Sequence, residues 1–176
     1  MDFPDVIEAE DITLRRWRPE DAGELAAAVQ ASLPELVPFM PWAHEGYEAG
    51  AAGIFIDIAT DGWADSTQWN YAAQDRAGTL VGSFGLHDRI GEGALEIGYW
   101  LHSAHTGRGY ATMAASALTR AALEQPGIDR VVIKHDAANP ASGAVAARAG
   151  FHEVTRRDHE ITAPGEVGVQ VTWEYP

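Results

Sequence analysis

A pair of glycines between a predicted strand and a predicted helix constrains this chain more than any other feature. The strand covers residues 94–101, and the turn after it reads Thr106-Gly107-Arg108-Gly109-Tyr110-Ala111. Glycine can take a positive φ and lets another molecule approach the backbone closely. The turn leads into a helix N-terminus, where free N–H groups and the helix dipole favour an anion. This order predicts an α/β fold with a phosphate or pyrophosphate cradle, although a tight turn would by itself also need glycine.

Further strands and helices surround this unit. Apolar alternation and short apolar runs predict strands over residues 12–17, 68–74, 79–87, 94–101, 128–136, 151–161 and 167–175. Helical spacing, helix-start residues and stop residues predict helices over 19–31, 48–61, 110–125 and 139–150. The helix over 48–61 is expected to bury Ile54, Phe55 and Ile58. Residues 32–47 hold three prolines among aromatic side chains, which predicts a shaped loop too apolar to be a linker.

The order of these elements indicates the fold class. Seven strands outnumber the helices and several neighbours are hairpins, so we expect a mixed sheet with helices on both faces. A doubly wound dinucleotide-binding sheet would alternate strand and helix more strictly, and its glycine fingerprint is absent. The length of 176 residues suits one domain, and we assign residues 1–176 to it.

Composition excludes several classes of protein. The formal net charge of -14 argues against a general nucleic-acid binder and suits a cationic or amine-bearing substrate. The absence of cysteine excludes disulfides, thiolate metal sites and a cysteine nucleophile. No metal is expected, because His135 and Asp136 beside Asn139 are too sparse a ligand set. No apolar stretch is long enough to cross a bilayer and the N-terminus lacks a signal-peptide pattern, so we expect a cytoplasmic protein without membrane contact.

A second motif follows about thirty residues after the glycine turn. It reads Asn139-Pro140-Ala141-Ser142, and the helix that it opens ends at Gly150-Phe151. Asn before Pro is a good helix N-cap, and glycine suits the position just after a helix. Each residue alone is therefore explained by helix boundaries, and only the joint pattern indicates a function.

The joint pattern resembles that of a known family. Three segments carry the resemblance: Leu95-Glu96-Ile97-Gly98-Tyr99-Trp100-Leu101, then Gly107-Arg108-Gly109-Tyr110-Ala111-Thr112, then Asn139-Pro140-Ala141-Ser142 with Ala149-Gly150-Phe151. Together they are similar to the GNAT superfamily of N-acetyltransferases, and most to its RimJ/RimL-like branch of ribosomal-protein N-terminal acetyltransferases. Arg18-Pro19-Glu20-Asp21-Ala22 and Ser32-Leu33-Pro34-Glu35-Leu36, leading to Pro41-Trp42, are also similar to that branch.

The resemblance implies a mostly antiparallel central sheet of about seven strands and acetyl-CoA as co-substrate. The coenzyme A would lie in a V-shaped gap between the strand ending near Leu101 and the strand 128–136. The residues implied to bind it are Trp100, Leu101, Thr106, Gly107, Arg108, Gly109, Tyr110, Ala111, Thr112, Asn139, Ser142 and Arg148. Related enzymes often form dimers, so a homodimer is also implied.

The resemblance also suggests catalytic groups. Glu96 matches a frequent position of the base that accepts the proton of the amine. His102 and His135 are weaker candidates for the same role. Many members have a tyrosine that protonates the leaving thiolate, and Ala146 stands at that position here, which makes Ser142 the candidate acid. Thr106 also departs from the family, whose turn often starts with Gln or Arg.

The acceptor is expected to contact the loop 32–47 and the final hairpin. The residues predicted to bind it are Trp42, His44, Glu45 and Glu96. The leading function is transfer of an acetyl group to a primary amine, on a protein or peptide N-terminus or on a small molecule. Two alternatives remain open: the same fold using succinyl-CoA or another acyl-CoA, and a non-catalytic CoA-binding protein.

Overall fold

A computed structural model describes all 176 residues, and eight of its segments form one sheet. The strands are β1 (Val6–Ala9), β2 (Ile12–Arg16), β3 (Gln68–Asp75), β4 (Leu80–His87), β5 (Ala94–Leu101), β6 (Arg130–Asp136), β7 (His152–Asp158) and β8 (Val169–Tyr175). The helices are α1 (Ala22–Ala31), α2 (Leu33–Leu36), α3 (Ala49–Asp65), α4 (Tyr110–Leu123) and α5 (Pro140–Arg148). None of the helices is both long enough and apolar enough to cross a membrane.

The strand order creates an opening in the middle of the sheet. The order is β1-β2-β3-β4-β5-β6-β8-β7, and only β5 and β6 run parallel to each other. Their pairing covers Ala94–Ile97 against Arg130–Ile133 and stops there. From Gly98 to Leu101, β5 pairs with β4 alone, while β6 continues along β8 to Asp136. The two strands therefore diverge after Ile97, and β5 has a free edge beyond this apex.

Two hydrophobic cores lie on opposite faces of the sheet. The core that contains Leu95, Ile97 and Leu118 packs α4 and α5 against one face. The core that contains Trp100, together with residues of α1 and α3, lies on the other face. Successive side chains of a strand point to opposite faces, so β5 contributes to both cores. The predicted mixed, mostly antiparallel sheet with helices on both faces is confirmed.

One strand was missed by the sequence prediction, which gave about seven strands. β1 has only four residues, and its Val6 is half exposed, so its apolar alternation is too short to stand out. It pairs with β2 in a hairpin whose turn places Glu10 at a φ of 58°.

The expected burial of the second helix was wrong at two positions. Ile54 and Ile58 are 63% and 52% exposed, whereas Ala52, Ile56 and Ala59 are buried. The small side chains allow α3 to pack closely against α1 and β3, so that face of the helix is the buried one. The two isoleucines are left on the wall of the central cavity.

The proline-rich segment 32–47 is an ordered part of the structure. It contains the short helix α2, which the sequence did not predict, and it buries Leu36, Ala43 and Tyr47 in the second core. The side chain of Gln30 donates hydrogen bonds to the carbonyl oxygens of Glu45 and Tyr47. The segment is thus held against α1 and forms one wall of the cavity.

Candidate active site

The glycine turn presents a row of free backbone N–H groups. Gly107 and Gly109 have φ values of 75° and 82°, and Gly109 is the N-cap of α4. The first amide of α4 with a backbone partner is that of Met113, which donates to the carbonyl of Gly109. The amides of residues 107–112 have no backbone partner. Free amides at the start of a helix favour an anion, so the turn fits a phosphate group.

The turn is fixed to the rest of the fold through the short 3₁₀ turn Ser103–His105. The amide of Ser103 donates to the hydroxyl of Ser32 at 3.0 Å, and the hydroxyl of Ser103 donates to the carbonyl of Ala31 at 3.0 Å. Ser32 is itself buried. Since these contacts connect the turn to the end of α1, the row of amides is held in place before any ligand binds.

A cavity of about 1680 Å³ runs through the opening of the sheet and is lined from both faces. Eleven of the predicted coenzyme-binding residues line it: Trp100, Leu101, Thr106, Gly107, Gly109, Tyr110, Ala111, Thr112, Asn139, Ser142 and Arg148. Arg108 does not line the cavity, and its guanidinium donates instead to the carbonyl of Ala104 at 3.4 Å.

On the α5 side of the opening a serine and a tyrosine meet. Asn139 caps α5 by accepting a hydrogen bond from the amide of Ser142 at 3.3 Å. The Ser142 hydroxyl lies 2.8 Å from the phenol oxygen of Tyr99, which comes from β5. Burial raises the pKa of Tyr99 to about 12, and the hydrogen bond to Ser142 acts in the opposite direction. The phenol therefore stays protonated at neutral pH and can donate to Ser142.

Tyr99 was not among the residues that the sequence singled out. The signal was present, because Tyr99 alternates with Leu95 and Ile97 and so points to the face that carries α5. Ala146, the position at which many family members have a tyrosine, is buried in the core beside α4. A phenol thus reaches Ser142 from a strand and not from α5.

On the opposite face of β5, Glu96 is held between two cations. It is 7% exposed. Its Oε1 accepts a hydrogen bond from Arg89 at 2.5 Å, and its Oε2 lies 3.6 Å from the ammonium of Lys134. All three side chains line the cavity. This cluster of three side chains therefore carries two positive charges and one negative charge.

The histidines that the sequence singled out already have partners. His135 Nδ1 lies 2.7 Å from the carbonyl of Asp136, and Trp173 donates its indole N–H to His135 Nε2 at 2.9 Å. His102 Nδ1 accepts a hydrogen bond from the amide of Ala104 at 3.1 Å. His87, which the sequence did not indicate, lies next to Glu96 across β4 and β5 and faces the cavity. Burial, helped by Arg89 and opposed by Glu96, lowers the pKa of His87 to about 4.

The predicted acceptor-binding loop reaches the cavity in part. Trp42 and His44 line it, and the ring of Trp42 lies 6.2 Å from that of Trp100. Glu45 is exposed and does not line the cavity. The backbone carbonyl of Glu45 instead accepts a hydrogen bond from the Gln30 side chain, which holds this part of the loop against α1.

The final hairpin is fastened to β6 by Asp136. Its carboxylate accepts the amides of Ala138, Val167 and Gly168 at 2.8, 3.1 and 2.9 Å, and His159 at 2.9 Å. Burial alone would raise the pKa of Asp136, but these hydrogen bonds outweigh it and hold the pKa well below its usual range. His159 and Glu166 thereby form part of the cavity wall. No group of three or more His, Asp or Glu side chains is placed to hold a metal ion.

Comparison with known proteins agrees with this geometry. The family model described as "Acetyltransferase (GNAT) domain" matches residues 11–152. The Bacillus subtilis (strain 168) protein named "Putative ribosomal N-acetyltransferase YdaF" is 29% identical over 153 residues, which are 82% of this chain and 79% of that protein.

Solved structures that share the fold include two acetyltransferases with a bound coenzyme. RimL, the ribosomal L7/L12 alpha-N-protein acetyltransferase in complex with coenzyme A, has a TM-score of 0.88 at 20% identity and covers 97% of each chain. The microcin C7 self immunity acetyltransferase MccE, in complex with acetyl-CoA and AMP, has a TM-score of 0.87 at 21% identity, over 94% of this chain and 92% of that one. With the family match spanning most of the sequence, the chain belongs to the GNAT acetyltransferase family.

Proposed function

We propose that residues 1–176 form a single-domain enzyme that transfers the acetyl group of acetyl-CoA to the α-amine of a protein N-terminus. The observation that carries this proposal is the divergence of β5 and β6 after Ile97, with a row of free amides on one side and the cluster of Arg89, Glu96 and Lys134 on the other. One opening thus connects a site for a phosphate-bearing donor with a site for an acceptor.

The donor side fits acetyl-CoA in two respects. The free edge of β5 from Gly98 to Leu101 can hydrogen-bond to the amide groups of a pantetheine arm, as an added strand would. The amides of residues 107–112 can bind the pyrophosphate at the start of α4. Succinyl-CoA or another acyl-CoA would use the same contacts, so the acyl group is the part that has to be tested.

Ser142 and Tyr99 are proposed to supply the proton that the leaving sulfur needs. The Ser142 hydroxyl lines the cavity, and its oxygen is within hydrogen-bond distance of the Tyr99 phenol. As Ser142 donates its proton, Tyr99 can replace it without a charged intermediate on the serine. Such positioned proton transfer typically contributes about 10²–10⁴-fold to a rate.

A polypeptide acceptor is supported by the character of the cavity on the acceptor face. The cavity of about 1680 Å³ includes the donor groove, and on the acceptor face it is lined by α3, by the loop 32–47 and by the final hairpin. Ile54 and Ile58 form an apolar wall that a short length of chain can cover. Two relatives, YdaF and RimL, carry names that refer to ribosomal acceptors. A ribosomal-protein acceptor would be met in the cytoplasm, and the homodimer implied by the family can be checked by sedimentation.

The deciding experiment incubates the purified chain with acetyl-CoA and matched peptides, and follows coenzyme A release together with the mass of the products. We expect a gain of one acetyl group on peptides with a free α-amine, and none on the same peptides when the N-terminus is blocked and a lysine is present. If the chain transfers a succinyl group from succinyl-CoA faster than an acetyl group from acetyl-CoA, the donor is succinyl-CoA. Binding of acetyl-CoA without transfer to any amine would favour the non-catalytic alternative.

A further inference from the structure

A histidine that the family resemblance does not explain stands at the apex of the opening. Gly98 is the first residue of β5 beyond its pairing with β6. A Cβ atom built on Gly98 would lie only 3.1 Å from His87 Nε2, so the imidazole covers this glycine on the acceptor face. The glycine leaves room for the ring next to the point where the strands part.

The surroundings of His87 leave its nitrogens free for a ligand. Gly85, on the same face, would also bring a Cβ within 3.2 Å of Nε2, so two glycines form the floor around the ring. No protein group hydrogen-bonds to either nitrogen of His87. A half-buried imidazole that faces the cavity and has no protein partner is free to hydrogen-bond to a bound ligand.

Two charged side chains, Arg89 and Glu96, act directly on His87. Arg89 follows it at the end of β4, and Glu96 is its direct partner on β5. Lys134 of β6 approaches the same carboxylate. The residues that α3 contributes to the cavity are uncharged: Ala51, Ile54, Phe55 and Ile58. Burial and Arg89 hold the pKa of His87 well below neutral, so the ring is uncharged and can accept a hydrogen bond.

We propose that His87 Nε2 contacts the acceptor amine and takes its proton, and that Arg89 and Lys134 keep the bound amine in its neutral, nucleophilic form. The inference rests on the proposed acetyl transfer. A cation near a bound amine disfavours the ammonium form and lowers the pKa of that amine. An α-amine, with an ordinary pKa of about 7.7–8.0, loses its proton at such a site far more easily than a lysine side chain at about 10.4. The cluster thus selects N-terminal amines.

The proton balance of the step is complete. The nitrogen lone pair forms the new bond to the acetyl carbon, and the carbon–sulfur bond breaks with its electron pair going to sulfur. His87 Nε2 receives one proton from the nitrogen, which becomes far more acidic as it bonds to carbon. Ser142 gives one proton to sulfur and receives one proton from the Tyr99 phenol. Exchange with water then returns His87 and Tyr99 to their starting forms.

Replacing His87 with Phe keeps the ring and removes both nitrogens. We expect the single-turnover rate at saturating acceptor to fall roughly 100-fold. The dissociation constant of acetyl-CoA should stay within about twofold, because the glycine turn is untouched. His87→Gln offers a carbonyl oxygen as acceptor and should recover part of the loss. His152→Phe, the same change at an exposed histidine of β7, should leave the rate unaltered.

The pH dependence tests the two cations. Lys134→Met should move the rising limb of the single-turnover rate upward by about one pH unit, and Lys134→Arg should leave it in place. Glu96→Gln removes the only anion of the cluster and should move the limb downward. If the rising limb of the pH–rate profile lies at the same pH in Lys134→Met as in wild type, the proposed role of the cations is overturned.

Two further outcomes separate this inference from the proposed function. If wild type acetylates peptides and both His87→Phe and His87→Gln do so within about threefold of its rate, the role of His87 is overturned. A loss of more than about 1000-fold at every pH in Glu96→Gln, with His87→Phe within about threefold of wild type, would assign the proton to Glu96. If wild type itself transfers no acetyl group while binding acetyl-CoA, the proposed function fails, and with it this inference.

Discussion

The two sides of the opening after Ile97 are built from different parts of the chain. The donor side consists mainly of backbone amides contributed by six successive positions, residues 107–112. The acceptor side consists of side chains that at least four separate strands bring together: Asn70 of β3, His87 of β4, Glu96 of β5 and Lys134 of β6. A site made of contiguous backbone depends on local conformation, whereas a site made of side chains depends on strand register. The two sides should therefore respond differently to mutation.

The largest expected effect is on the donor side. Gly109→Val should weaken acetyl-CoA binding by more than about 100-fold, because a branched side chain disfavours the φ of 82° and blocks the approach of a phosphate. Titration calorimetry measures the change. Gly78→Val is the matched control, since Gly78 has the same φ of 82° in a hairpin turn outside the cavity. Equal loss of binding in both variants would point to general unfolding.

The next effect concerns the acceptor side alone. Glu96→Gln should lower turnover by roughly 10- to 100-fold, because the neutral amide no longer binds Arg89 and Lys134 as a carboxylate does. Acetyl-CoA affinity should remain nearly intact, as measured by the same calorimetry. Turnover equal to that of wild type over a full pH profile would remove Glu96 from the reaction.

A smaller effect is expected where the two sides meet. Tyr99→Phe should lower the rate about tenfold, and Ser142→Ala at least as much, if the two residues pass one proton to sulfur. In the Ser142→Ala background, Tyr99→Phe should cost almost nothing further, because members of one relay are not additive. With a Tyr99 pKa of about 12, wild type should show no loss of activity from phenol ionisation below about pH 10. Fully additive losses would contradict the relay.

The smallest kinetic effect, and one mainly on stability, is expected at the hairpin behind the acceptor side. Asp136→Asn should lower the Tm at pH 7 by roughly 5 °C, since a buried carboxylate that accepts several N–H groups is lost. The folded-state pKa of Asp136 lies below its ordinary value. Its contribution to stability is therefore complete above about pH 4 and disappears as the pH falls further.

Thermal melts between pH 3 and pH 7 measure this difference. The gap in Tm between wild type and Asp136→Asn should narrow below about pH 4. Asp158→Asn, an exposed carboxylate at the end of β7, serves as the control and should leave the melting curves unchanged. A gap that stays constant down to pH 3 would contradict the role of the Asp136 carboxylate.

Much of the fold could be predicted from the sequence. The strand–turn–helix unit at 94–121, the hairpin of β3 and β4, and the Asn139 cap of α5 all depend on local periodicity, turns and capping, which neighbouring residues decide. β1 was missed because four residues give too short an alternation. Ile54 and Ile58 were expected in the core because apolarity alone does not say which face of α3 meets its neighbours.

The candidate site divides in the same way. The sequence alone determined the glycine turn and, through the resemblance that the family match confirms, the class of enzyme. Only the tertiary structure brings the Tyr99 phenol to the Ser142 hydroxyl. It also pairs Glu96 with Arg89 and Lys134, and it places the His87 ring next to Gly98. The physical reason is the separation along the chain of the residues involved. A positive φ and a helix start depend on residues that are adjacent in the sequence. Contacts between side chains of different strands exist only once the strands have paired in register.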